Sequence, residues 1–154
     1  MLVKSKVNFS NLLDQVMPKI NDVLSNQGEN HKLTEFVSRY IHFQNILDMG
    51  EMKFTSDYCK WAKKKGYRLN ERKAAEILAL AQNGIPTLPN SQSVKIAVSE
   101  AVKLIHSIEE SRNTILAQMQ DLCNTLPEYS VVKEMDCIGD TLAPRIIAEI
   151  GDVR

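Results

Sequence analysis

Ten positions between Val94 and Leu126 recur at strict intervals of four and three: Val94, Val98, Ala101, Ile105, Ile108, Arg112, Ile115, Met119, Leu122 and Leu126. Nine of the ten are apolar, where a chain that is 44% hydrophobic offers about four. A four–three spacing keeps one stripe on one side of an α-helix and fits no strand, whose side chains change face at every residue. No Gly or Pro interrupts the run before Pro127. It covers about four and a half heptads, or about 50 Å of helix at 1.5 Å per residue. A folded chain of 154 residues has a radius of gyration of only about 15 Å. Such a helix must protrude or be matched by a partner helix.

Two readings of the stripe stand side by side. It is a buried bundle helix, or it is a coiled-coil arm, paired antiparallel with the first helix or with a second chain as a homodimer seam. The seam would run through Val98, Ile105, Ile108, Arg112, Ile115, Met119 and Leu122, and the strictness of the repeat favours the arm. Arg112 is its one charged member, which either fixes register or snorkels at a wet point.

The same spacing opens the chain, where Phe9, Leu13, Val16, Ile20 and Val23 predict a helix that stops at Ser25-Asn26-Gln27-Gly28. A second helix is expected over about 32–47, with Leu33, Phe36, Val37, Tyr40 and Ile41 on one face. Thr55 or Ser56 is expected to cap a third that runs through Tyr58 and Trp61 to Gly66. Asn70 caps a fourth that ends at Asn83-Gly84. Ile85-Pro86-Thr87-Leu88-Pro89-Asn90 holds two prolines and reads as an extended connector. The predicted organisation is all-α: a helical region with a basic patch over 1–90, the long coiled-coil helix over 91–127, and a helix-hairpin-helix-like element over 128–154. With only 6 Gly and 5 Pro, turn chemistry is too sparse for a many-stranded sandwich or barrel. Cys59, Cys123 and Cys137 form no C-x-x-C pair and read as reduced thiols. No segment reaches the length of apolar chain that spans a membrane, and the N-terminal residues have no hydrophobic leader. A cytoplasmic protein is expected.

The catalytic search is negative. His31, His42 and His106 fall on different predicted elements, none spaced with Cys, Asp or Glu as a metal ligand set, and no phosphate-binding or dinucleotide motif is present. Glu109 and Glu110 read as part of a solvated helix face. Charge is more informative. The formal net charge is zero, yet Lys60, Lys63, Lys64, Lys65, Arg68, Arg72 and Lys73 crowd one window against the single acid Glu71, leaving 12 basic and 18 acidic residues elsewhere. Tyr58, Trp61 and Tyr67 are interleaved with these cations, offering stacking surfaces beside phosphate-neutralising charge. The alternative is a Lys-rich helix end, where cations suit the dipole and Trp61 is core.

Residues 131–152 read as a short helix, a tight turn at Ile138-Gly139 and a second helix. Such a hairpin turns backbone N–H groups outward, and Ile138, Gly139 and Thr141 are the candidate phosphate contacts; a plain connection is the competing reading.

Three stretches carry a family resemblance. They are Tyr58-Cys59-Lys60-Trp61-Ala62-Lys63-Lys64-Lys65-Gly66-Tyr67-Arg68-Leu69-Asn70, the run 79–90 (Ala79-Leu80-Ala81-Gln82-Asn83-Gly84 into Ile85-Pro86-Thr87-Leu88-Pro89-Asn90), and 125–154 with its hairpin. The chain resembles the DEDD-type insertion-sequence transposases that also carry a serine-containing transposase domain, the group that includes bridge-RNA-guided recombinases. The resemblance covers nearly the whole chain. It implies relatives that begin with a Holliday-junction-resolvase-like nuclease domain holding four acidic residues and end with a domain bearing a nucleophilic serine. The present residues are similar to the coiled-coil middle and the first hairpin of that last domain, so no catalytic residue is carried over.

On this resemblance the chain contributes dimerisation and nucleic-acid binding to DNA transposition in a prokaryotic cytoplasm, at the nucleoid when DNA is bound. The implied partners are DNA, a guide RNA as a further candidate, and a second copy. A divalent metal would belong to the absent nuclease domain, so no cofactor or small-molecule substrate is expected here. One position departs from the family: its hairpins have glycine where this chain has Cys137. A residue with a Cβ takes positive φ less freely, so either the turn is adjusted or its phosphate contact is weakened. The reading from another class is a helical oligomerisation or adaptor module without a nucleic-acid role.

Overall fold

A computed structural model describes residues 2–24, 31–68 and 70–150. Among these the chain is all-α, with no strand: α1 (Leu2–Val16), α2 (Ile20–Val23), α3 (Lys32–Tyr40), α4 (Phe43–Met49), α5 (Glu51–Lys64), α6 (Glu71–Asn83), α7 (Gln92–Cys123), α8 (Pro127–Lys133) and α9 (Ala143–Ile150). The chain divides into two units, 1–105 and 106–154, and the division falls inside α7 rather than at residues 90 and 127.

In the first unit the expected apolar stripes are present, but two expected helices are broken. Pro18 lacks an amide hydrogen and disfavours helix at the residue before it, so the predicted helix over 9–23 splits into α1 and α2 with Lys19 at φ 62° between them. Phe9, Leu13, Val16 and Ile20 are buried all the same. The helix expected over 32–47 breaks at Ile41 and His42. Ile41 has φ 63° and ψ −43°, and the His42 amide donates to the Tyr40 carbonyl at 2.7 Å, which is a γ-turn of the rare positive-φ kind. A β-branched residue there is strained. The surroundings enforce it: His42 Nδ1 accepts from the Gln44 amide and caps α4, while its Nε2 lies 3.0 Å from the Leu88 carbonyl. With Nδ1 acting as acceptor, Nε2 carries the proton and donates to Leu88.

The third helix starts a turn earlier than expected. It begins at Glu51 behind Gly50 (φ 76°), not at Thr55 or Ser56, and Glu51 suits the positive end of the helix dipole. Gly66 ends it in left-handed conformation (φ 73°), with Gly66 N–H donating to Lys63 and Tyr67 N–H to Ala62. Those two bonds are the Schellman pattern and place Tyr67 back against the helix. Asn70 caps α6 as predicted, its side chain accepting from the Arg72 amide at 3.1 Å. Gly84 follows α6 because a Cβ there would lie 2.7 Å from the Leu80 carbonyl oxygen and against the Phe43 ring. The connector after it is tied down where the amides of Thr87 and Leu88 donate to the Gln15 carbonyl.

The stop expected at 25–28 lies outside the described residues. α6 packs on α2, α4 and α5, and twenty-three buried apolar side chains among the described residues, from α1 to the first half of α7, make one core. The second unit has a much smaller one. Cys123, Tyr129 and Ala143 are its buried cluster, with Val132, Ile138 and Ile147 packed against them. Pro127 sits at the first turn of α8, where its missing N–H costs nothing. Among the described residues no helix is long and apolar enough to cross a membrane.

Candidate nucleic-acid interface

α5 buries Phe54, Tyr58, Trp61 and Ala62 along one side, and the four–three spacing of 54, 58 and 61 leaves Lys60, Lys63 and Lys64 on the exposed side. Trp61 is therefore not a stacking platform. It is 7% exposed and sits among Phe36, Tyr58 and Tyr67, with ring centroids at 6.0, 5.6 and 5.4 Å. Tyr67 is half-buried and also committed: its hydroxyl donates to Glu35 Oε2 at 2.9 Å, and Lys32 Nζ lies 5.5 Å from its ring centre. The expectation that Trp61 and Tyr67 are free to stack on bases is corrected by these contacts. Both aromatics build the floor of the turn.

The nine residues predicted for this interface separate into two groups. Lys65 Nζ donates to Glu35 Oε1 at 2.9 Å, and Lys73 Nζ donates to the Val23 carbonyl at 2.7 Å, closing the C-terminus of α2. With Trp61 and Tyr67, these four hold the fold. Lys60, Lys63, Lys64, Arg68 and Arg72 are exposed, and no ion pair to any of them occurs among the described residues. Lys60 feels the Asp57 carboxylate, which is occupied by two other donors. All five cations lie at the end of α5, in the turn, or in the first turn of α6. Nothing in the helix dipole favours Arg72 in that first turn, so its charge is set against local propensity.

Two acids outside the predicted site, Glu35 on α3 and Asp57 on α5, are engaged nearby, and Glu35 holds the turn itself through Lys65 and Tyr67. Glu35 loses hydration on burial, which pushes its pKa up, but hydrogen bonds from Lys65 and Tyr67 and the nearby charges outweigh that and hold it below its ordinary value. Burial and the Glu35 bond push the Tyr67 hydroxyl up to about 12. Asp57 accepts from Arg39 at 2.7 and 3.0 Å and from the Tyr40 hydroxyl at 2.7 Å, and the Arg39 bonds hold its carboxyl below the usual range. Glu35 is thirty positions from Lys65 in sequence, so no local pattern connects them.

The hairpin candidates are elsewhere, in the second unit. Ile138 is half-buried against the small core, whereas Gly139 and Thr141 are exposed. The residue that takes the left-handed conformation is Cys137, at φ 67°. The turn thus has a Cβ at its positive-φ position, while a Cβ on Gly139 would meet nothing. Gly139 O accepts from the Leu142 and Ala143 amides, and the amides of Gly139, Asp140 and Thr141 have no acceptor among the described residues. Of the two acids beside this turn, Asp136 and Asp140, Asp140 is bridged to Lys133 at 2.7 Å.

The predicted seam divides as well. Val98 and Ile105 pack inside the first unit's core, as the bundle-helix reading expects. Ile108 and Met119 are half-buried, Arg112 is exposed, and Ile115 and Leu122 are 57% and 70% exposed. Cys59, Cys123 and Cys137 are free thiols, and among the described residues no three His, Cys, Asp or Glu side chains gather to hold a metal. No protein-family model, curated protein or solved structure matches this chain.

Proposed function

We propose that this chain binds nucleic acid through the basic turn between α5 and α6, as a catalytically inert helical part of a transposase-like protein. The observation that carries the reading is the separation of the window's cations. Lys65 and Lys73 are used to hold the fold, while Lys60, Lys63, Lys64, Arg68 and Arg72 stand exposed without an acidic partner among the described residues. Five cations at one turn, on a floor fixed by Trp61, Tyr67 and Glu35, form a phosphate-binding surface. Binding is then by charge and shape, to duplex DNA or to a structured RNA. The resemblance to insertion-sequence transposases supplies the context, DNA transposition, and the hairpin amides at Gly139, Asp140 and Thr141 are a second, weaker phosphate contact.

A helical self-association module is the second reading, and the exposure of Ile115 and Leu122 on one stripe of α7 favours it. Fluorescence anisotropy with a labelled duplex and a structured RNA separates the two. Four neutralised phosphates give a slope of log affinity against log salt of about −3.6, or a loss of about a hundredfold between 50 and 200 mM. Replacing Lys63, Lys64, Arg68 and Arg72 by Gln is expected to abolish both the binding and its slope. Salt-independent binding by the parent chain, or an unchanged slope in the variant, leaves only self-association.

A further inference from the structure

The two units carry opposite charge. Residues 1–105 hold fifteen Lys and Arg against ten Asp and Glu, a formal +5, and residues 106–154 hold four against nine, a formal −5. On the acidic unit the charge adjoins exposed apolar surface. α8 turns Tyr129 and Val132 toward Cys123 and Ala143, which leaves Val131 60% exposed. Past the end of α8 come Glu134, Met135 and Asp136, all exposed, with Met135 at 54%. Lys133 is spent on Asp140, so it offsets neither Glu134 nor Asp136.

Carboxylates around apolar side chains repel phosphate. They suit long cationic side chains, whose methylene stems lie on apolar surface while the head groups meet the acids. This chain presents such a surface itself: Lys63, Lys64, Arg68 and Arg72 are exposed at the α5–α6 turn and lack an acidic partner among the described residues. The occupant that fits the acidic unit in both charge and stem length is therefore a second copy.

We infer that the acidic unit of one copy docks on the basic turn of another, Glu134 and Asp136 against Lys63, Lys64, Arg68 and Arg72, with Val131 and Met135 beneath the stems. Each copy carries both surfaces, so the contact closes as a reciprocal pair or propagates head to tail. It uses the cations assigned above to phosphate, so docking and nucleic acid exclude each other. The docking rests on where the cations and acids stand, not on the nucleic-acid reading.

Sedimentation velocity on the full chain tests it. Association is expected at about 50 mM salt and is expected to weaken at least tenfold by about 300 mM, because exposed pairs are screened within a Debye length. Apolar pairing along α7 is not weakened by screening. Two charge-reversed chains, one with Lys63, Lys64, Arg68 and Arg72 changed to Glu and one with Glu134→Lys and Asp136→Lys, are each expected to stay monomeric at low salt. Mixed one to one, they are expected to associate, since each then meets its complement. A monomeric parent at low salt, association untouched by either reversal, or a mixture that stays monomeric overturns the docking; circular dichroism checks that both variants fold. A charge-swapped pair that forms while the parent binds neither DNA nor RNA sustains the docking and removes the nucleic-acid reading.

Discussion

Ile105 and Ile115 lie on one stripe of one helix, and one is 2% exposed while the other is 57% exposed. The difference belongs to what surrounds them. Up to Ile105 the stripe meets a core built by six earlier helices, with Phe36, Phe43, Phe54 and Tyr58 fully buried in it. Within the second unit, among the described residues, the buried cluster shared with α8 and α9 is Cys123, Tyr129 and Ala143. A four–three repeat therefore states which side of a helix is apolar and leaves open what covers it. The units differ in the same sense in charge, +5 against −5, so the basic unit suits phosphate better than the acidic one.

The sharpest way to break this contrast is truncation on the two halves of α7. Ile105→Ala removes a buried side chain and is expected to cost about 2–5 kcal/mol, whereas Ile115→Ala is expected to stay within about 0.5 kcal/mol. Urea denaturation of the two variants checks it. Equal losses would mean that the second half of the stripe is covered, by a second copy at the protein concentration used, and dilution would then lower the cost at Ile115. Next in size is the hairpin. Cys137 is exposed and holds φ 67°, a conformation that costs a residue with a Cβ about 1 kcal/mol. Cys137→Gly is expected to raise the stability of the second unit by about that amount, and Gly139→Ala to change it little because that position has open space and no positive φ. A gain from neither and a loss from Gly139→Ala would reverse the assignment of the turn.

The smallest expected effect is the pH response of the first unit. Glu35 and Asp57 have depressed pKa values when folded, so the unfolded chain binds more protons as the solution turns acidic. Their stabilisation is present above the ordinary carboxylate range and is lost as pH falls through and below it. Exposed pairs of this kind contribute about 0.2–1 kcal/mol. Thermal melts between neutrality and strong acid are expected to fall less steeply for Asp57→Asn than for the parent chain. Parallel curves would remove Asp57 from the organisation of the basic unit.

Much of the fold was legible because it depends on local rules. The apolar stripes, the Asn70 cap and the Gly66 stop each follow from residue type and spacing, and the structure carries them. The break between α1 and α2 follows from Pro18, a proline inside a helical pattern, although the apolar stripe continues across it. The break at Ile41 was not legible. A β-branched residue at positive φ contradicts its own propensity, and only His42, reaching forty-six positions along the chain to Leu88, makes the turn intelligible. The candidate site divides along the same line. Sequence locates the cations, because charge density needs no tertiary context. It does not tell Lys63 from Lys65, since that distinction is a contact with Glu35 on another helix. It also leaves open whether Trp61 is a stacking surface or core, where tertiary packing makes Trp61 and Tyr67 the floor.

Lysine acetylation footprinting by mass spectrometry, with and without saturating duplex DNA, tests the assignment of the nucleic-acid face most directly. Lys60, Lys63 and Lys64 are expected to be protected by DNA, while Lys95, Lys103 and Lys133 keep their reactivity. Unchanged modification of Lys63 and Lys64 when DNA is bound, or protection centred on Lys133 beside the hairpin, would contradict a basic first unit that holds the nucleic acid.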